Sequence, residues 1–391
     1  MNTFKHVARL ACFFSLIYLA LAGSKCDNGV LFKEIAPNNL AAPLSVTVDP
    51  AKQRAYVINS NNTLEFTTTQ FTILNLADPA APVILDNPAN PAPMPNFSSQ
   101  STYDAASGFV YTPNRASDSV TDTSDNLLRI NVDEASSTFG QIDTFTGGEN
   151  PFGISCCDAL GRLYMINAGG KGPGTIDVYD PADLSSFVQL SLEVRLSSGE
   201  DFKGINSTEG VFLGRQLFVT NRNGRIYIIN TDEIGDAAKN PIDYILLKGN
   251  DLRGIATDGT SLFVVDGKTN ATALLVLNPA VVPPVSPDAG TIAELQISQV
   301  QTTSIAVGKD PNEVLVSNGR AYVTNRQDNT ISVIDIASSS LVTTIPVGDE
   351  PFGMAAFTSG GTDYLYVTNL FSDSISIIDT ATATVVGTFK P

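Results

Sequence analysis

Short runs of β-forming residues, each closed by Asn or Asp, recur along the chain, and the unit they define is clearest between Ala321 and Asp335, AYVTNRQDNTISVID. Tyr322, Val323 and Thr324 favour a strand, Asn325 to Thr330 supply turn chemistry, and Ile331 to Ile334 return as a second β-rich run. The stretch predicts a hairpin. YLYVTN at Tyr364 to Asn369 and SISIID at Ser374 to Asp379 repeat it, with the same ten residues from turn Asn to closing Asp.

Used as a template, this hairpin is found seven times. First strands end at Asn59, Asn114, Asn167, Asn221, Asp266, Asn325 and Asn369; second strands end at Asn75, Asn131, Asp180, Asn230, Asn278, Asp335 and Asp379. Successive first-strand anchors stand 55, 53, 54, 45, 59 and 44 residues apart, the period of propeller blades with insertions. Another strand precedes each hairpin, introduced by Asn150-Pro151-Phe152-Gly153-Ile154 and Glu350-Pro351-Phe352-Gly353-Met354, and more loosely by Leu252-Arg253-Gly254-Ile255 and Pro311-Asn312-Glu313-Val314. A fourth follows, as at Val342 to Val347 and Val385 to Phe389. The expected fold is all-β, a seven-bladed β-propeller of four-stranded antiparallel blades, with blades near 41–93, 94–148, 149–199, 200–249, 250–308, 309–348 and 349–391. Blade faces pack on neighbouring blades, which explains why Ile331-Ser332-Val333-Ile334 departs from simple alternation.

At Tyr322 to Asn325 and Tyr366 to Asn369 the repeat resembles the YVTN-family β-propeller repeat, and the resemblance extends over nearly all of the chain beyond its N-terminal leader. Blades one, two, four and five depart from the pattern, the first strand of blade four most of all. The resemblance implies a secreted or surface-associated bacterial or archaeal propeller. It brings no catalytic residues with it, because the motif residues are structural.

Residues 1–22 read as a secretory signal peptide: Lys5 and Arg9, then an apolar run from Leu10 to Leu21 too short to span a bilayer, then Ala20-Leu21-Ala22 before Gly23. The expected location is therefore the periplasm, the cell surface or the extracellular space, with no transmembrane segment. Cys26 stands where a lipid anchor would, but Gly23-Ser24-Lys25 before it argues for ordinary cleavage after Ala22. Residues 23–40 form a lead-in in which Val30 to Ile35 reads as a closing strand for the outer edge of blade seven.

Composition narrows the chemistry. His6 is the only histidine and lies in the leader, and the chain has no Trp. Serine–histidine triads, histidine bases and histidine-ligated metals are thereby excluded from the exported part. The formal charge of −17 becomes about −19 once the two basic residues of the leader are removed, so nucleic acid is a poor partner. A monomer that binds a protein or glycan partner fits better.

Loops between second and third strands share a face with the loops between blades, and their insertions at 60–70, 115–125 and 168–174, with the Pro-rich connector 78–96, make that face the expected ligand surface. Its candidate residues are Glu149, Asn150, Arg222, Asn223, Arg253, Arg326, Asp328, Asp349 and Glu350. Asp118, Asp122 and Asp125 offer hard oxygens for calcium, the one cofactor suggested, although their spacing is not that of an EF-hand loop. Cys156 and Cys157 can form a disulfide with each other, either can pair with Cys26, or both can remain buried thiols. Asn61, Asn96, Asn206 and Asn270 begin N-x-Ser/Thr triplets, which a bacterial source would leave unmodified. The leading functional expectation is a non-enzymatic binding scaffold. A carboxylate- or calcium-dependent hydrolase, lactonase or lyase is the alternative, and a redox accessory using Cys156-Cys157 a third.

Overall fold

The computed structural model describes residues 40–390 except 62–68, 88–89, 91, 116–124, 171, 196–198, 200, 237–238, 248–250, 268–271 and 282–292. Seven antiparallel sheets, each of at least four strands, follow one another along the chain. In order from the channel outward, blade one begins Pro43–Asp49, Arg54–Asn59, Thr69–Asn75, and blade seven is Pro351–Ser359, Thr362–Asn369, Ser374–Asp379 and Thr384–Phe389. The expected closing strand Val30 to Ile35, the leader and Cys26 lie outside the described residues. No helix among the described residues is long and apolar enough to cross a membrane.

All seven sequence anchors end the second strand of a blade, and all seven are buried. The chemistry explains the residue type: a short amide at this point reaches across the hairpin. Asn325 Nδ2 donates to Thr330 Oγ1 and Ser332 Oγ at 3.0 and 2.9 Å, and Asn369 Nδ2 to Ser374 Oγ and Ser376 Oγ at 3.1 and 3.0 Å. Three residues earlier stands a buried aromatic in every blade: Tyr56, Tyr111, Tyr164, Phe218, Phe263, Tyr322 and Tyr366. These rings belong to apolar clusters that each span two adjacent blades, as where Ala355, Phe357, Tyr366, Ile375 and Ile377 of blade seven meet Val46, Ala55, Val57 and Leu74 of blade one. Burial of such faces is the main driving force for the ring.

The threonine of the motif joins the blades at the channel. Thr220 Oγ1 donates to Arg253 O of the next blade at 2.5 Å, and Thr368 Oγ1 donates to Leu44 O at 3.1 Å. Close approach of the inner strands also requires glycine. A Cβ on Gly153, Gly254 or Gly353 would collide with the carbonyl oxygen of Thr208, Asn312 or Leu44, each in the following blade.

Two features depart from the sequence reading. The connector 78–96 does not decorate the loop face: Val83–Ile84 pairs with Leu74 and Asn75, and Ala92–Met94 with Thr69 to Phe71, so it climbs the outer edge of blade one. Turn residues in it hid two short outer strands. Blade four, whose inner strand is Ser207–Leu213, gains a fifth strand, Ala293–Gln296, which comes from blade five and pairs parallel with Tyr244 to Leu247.

Candidate functional site

Each inner strand enters the channel from the same face, just after a residue whose carbonyl accepts the N–H that follows the anchor of the same blade. Ala168 N donates to Asn150 O, Arg222 N to Asn206 O, Arg326 N to Asp310 O and Leu370 N to Glu350 O, at 2.9 to 3.1 Å. Asn150, Asn206, Asp310 and Glu350 all take positive φ there. Anchor-plus-one and strand-entry residues are thereby set side by side around the channel mouth.

Where these positions carry charge, they form a ladder across four blades. Arg222 Nε and Nη2 donate to the two carboxylate oxygens of Asp251 at 2.8 and 3.1 Å. Asp251 also accepts from Arg253 Nε and Nη2 at 2.9 and 2.7 Å, and Arg253 Nη1 donates to Asp310 Oδ1 at 2.6 Å. Arg326 lies 3.6 Å from Asp310 Oδ2 and donates through Nη2 to Glu350 Oε2 at 2.5 Å. Planar guanidiniums suit this bridging because one face of the fork serves each carboxylate. Burial works to raise the Asp251 carboxyl, but the Arg222 and Arg253 guanidiniums outweigh it and hold the group below the ordinary range.

Inside this ladder is a cavity of about 310 Å³. Arg115, Arg222, Arg253 and Arg326 line it, with Phe152, Phe352 and Phe371 supplying apolar walls. The Arg326 guanidinium stands 5.5 Å from the Phe352 ring centroid. The acids that fix the arginines are not part of the wall, so a basic, aromatic mouth opens on an acidic protein.

Of the nine expected face residues, Asn150, Arg222, Arg253 and Arg326 line the cavity, and Glu350 orients Arg326. The other four hold loops. Asn223 Nδ2 donates to Ile205 O, Glu149 Oε2 accepts from Gly172 N, Asp328 Oδ2 from Lys309 N and Asp349 Oδ1 from Asn329 Nδ2. Of the calcium candidates, Asp118 and Asp122 lie outside the described residues. Asp125 is buried and accepts from Asn150 N at 2.6 Å, which fixes the entry to blade three.

Deeper in the channel a second cavity, of about 380 Å³, shares Leu44 and Glu209 with the first. Glu209 and Glu313 both line it, and sequence reasoning passed over both. Their placement follows from inner-strand bulges, where register shifts between Leu252 and Ile255 and between Pro351 and Met354. Each glutamate reaches an N–H freed by the bulge of the following blade: Glu209 that of Ile255, Glu313 that of Met354 at 3.4 Å. Burial raises the Glu209 carboxyl to about 7 and puts Glu313 well above the ordinary carboxylate range, with the Glu209 charge adding to the second.

At the other end of the channel Cys156 and Cys157 are joined as a disulfide. Cys156 packs against the cluster of Tyr111, Leu127 and Leu163 between blades two and three.

Comparison with known proteins adds the architecture. No family model matches the chain, and no curated protein does. Among solved structures it is similar to the hydrazine synthase of Kuenenia stuttgartiensis, with a TM-score of 0.61 and 13% identity over 92% of this chain and 99% of that one. The Cps50 (Swd1) β-propeller domain of Myceliophteria thermophila gives a TM-score of 0.59 and 11% identity, covering 90% of this chain and 100% of that domain. Dihydro-heme d1 dehydrogenase NirN gives 0.52 and 14%, covering 92% and 65%. At these identities the likeness is one of fold, and the fold is a seven-bladed β-propeller.

Proposed function

We propose that the chain is an exported binding propeller of the YVTN type, which seats an anionic group of a protein partner in the mouth of its channel and performs no chemistry there. The observation that carries this reading is the cavity lined by Arg115, Arg222, Arg253 and Arg326 within a protein of net charge −17. Carboxylates held behind three of these side chains keep them extended and pre-oriented, which lowers the entropy lost on binding. Phe152, Phe352 and Phe371 suit a ligand with an apolar body next to its charge, such as a chain end with an aromatic residue and a free carboxylate. Residues 1–22, with their basic start and short apolar run, support export. The buried Glu209 and the half-buried Glu313 are accounted for by the bulge N–H groups they satisfy, so they lend no support to a catalytic role.

The test is fluorescence polarisation with a labelled pentapeptide ending in Phe-Glu with a free carboxylate, against the same peptide ending in Phe-Gln amide. The acidic peptide is expected to bind at least about tenfold tighter, to weaken with added salt, and to weaken again with Arg222→Glu, the most solvent-exposed of the ladder's arginines. Equal binding of the two peptides, or none of either, overturns the reading.

A further inference from the structure

At the end of the channel opposite the arginine ladder, one carboxylate stands with the two sulfurs. Asp104 closes the inner strand of blade two, Thr102–Asp104, as Cys156 closes that of blade three. A carboxylate oxygen of Asp104 and the sulfurs of Cys156 and Cys157 all lie within 4.8 Å of one another. Asp104 Oδ1 accepts from Ala106 N in its own turn, at 3.0 Å, which steadies the carboxylate there. Cys156 is held against the apolar seam between the same two blades. Asp104 and Cys156 thus bring ligand atoms from two strand ends, and Cys157, the next residue along, brings the third.

We propose that, once the disulfide is reduced, Cys156, Cys157 and Asp104 bind one thiophilic divalent cation, and that the disulfide closes the site. Two thiolates and one carboxylate suit zinc, whose bonds of about 2.0–2.3 Å put its ligand atoms roughly 3.3–3.8 Å apart, and water completes the tetrahedron. Breaking the sulfur–sulfur bond lets the two sulfurs separate toward that spacing, with the Asp104 carboxylate within 4.8 Å of both. Reduction requires a thiol reductant, preferably a dithiol. Its thiolate attacks one sulfur, its second thiol displaces the mixed disulfide, and two electrons and two protons pass to the protein as the dithiol cyclises. Entry of the cation then releases the two thiol protons, so binding strengthens as pH rises. The bound ion would clamp blade two to blade three at the channel rim, a link that the oxidised form lacks.

The experiment compares the full chain oxidised, and reduced with a phosphine and desalted under nitrogen. Zn²⁺ is titrated against a chromogenic chelator, and Co²⁺ is used as the spectroscopic probe. Reduced protein is expected to take one Zn²⁺ per chain and to show thiolate-to-cobalt charge-transfer absorption, and the oxidised chain to show neither. Asp104→Asn, which leaves both thiols in place, is expected to weaken Zn²⁺ by at least about tenfold. The proposal fails if the oxidised chain binds equally, if Asp104→Asn binds as tightly as the parent, or if the reduced chain binds no zinc. Loss of the β-sheet circular dichroism signal on reduction also overturns it, because the strand ends would no longer be held together.

Discussion

The hydroxyl of Thr368 lies 3.1 Å from the carbonyl oxygen of Leu44, 324 residues away, and this pair is one of the hydrogen bonds that join the last blade to the first. Thr368 Oγ1 in turn accepts from Gly353 N at 2.8 Å. Thr368→Val keeps the shape and removes both interactions in a fully buried setting. It is expected to cost about 1–3 kcal/mol in denaturant unfolding, with Thr368→Ser retaining most of the stability.

Gly353 stands beside that bond, and its missing side chain is what lets the inner strand of blade seven approach Leu44. Gly353→Ala forces the strands apart at the point of closure. A loss of roughly 1–3 kcal/mol is expected, against little change for Gly172→Ala, where φ is not positive and an added Cβ meets only Glu149 Oε2, at an ordinary 3.5 Å. Thermal unfolding of the two variants side by side decides it.

Arg253 is the most buried cation of the ladder, with a side chain 10% exposed between Asp251 and Asp310. Arg253→Met removes the charge from between two carboxylates and is expected to destabilise by about 3–5 kcal/mol. Arg253→Lys recovers only part of this, since an ammonium cannot reproduce the fork that spans both acids. Arg222→Ala, at 48% exposure, is expected to change stability by less than about 1 kcal/mol. Urea unfolding of the three variants checks the order.

Glu209 and Glu313 make stability depend on pH. Their folded carboxyls titrate above the unfolded range, so the folded state holds protons that the unfolded state has released. The stabilisation is fully present below about pH 4 and is lost as pH rises through about 7, where Glu209 must ionise inside the channel. Glu209→Gln cannot ionise. Its melting temperature is expected to fall less than that of the parent between pH 5 and pH 8, and an identical slope for both would refute the assignment.

Much of the architecture was legible because particular side chains have one job in every blade. Asn59, Asn114, Asn167, Asn221, Asn325 and Asn369 recur because an amide at the strand end reaches across the hairpin, and that need shows directly as a repeated letter. Arg222 and Arg326 were found because they follow such an anchor. Their carboxylate partners Asp251 and Asp310 were not: Arg222–Asp251 joins two blades, Arg326–Asp310 closes a sixteen-residue span within one, and no local spacing records either. Glu209 was hidden for another reason. The inner strand of blade four, STEGVFL, lacks the Pro-Phe-Gly entry of blades three and seven, and only alignment on Asn221 brings Glu209 level with Glu313. Glu313 itself sat in plain view as part of a strand lead-in; its role depends on a bulge in the next blade, which sequence does not display.

The parallel strand Ala293–Gln296 makes the outer edge of blade four depend on chain made nearly fifty residues later. Backbone amides of Tyr244 to Leu247 cannot be fully shielded until blade five has emerged and folded back. Blades four and five are thus expected to open and close together in hydrogen exchange, and during synthesis an incomplete blade four would present an unsealed edge to neighbouring nascent chains.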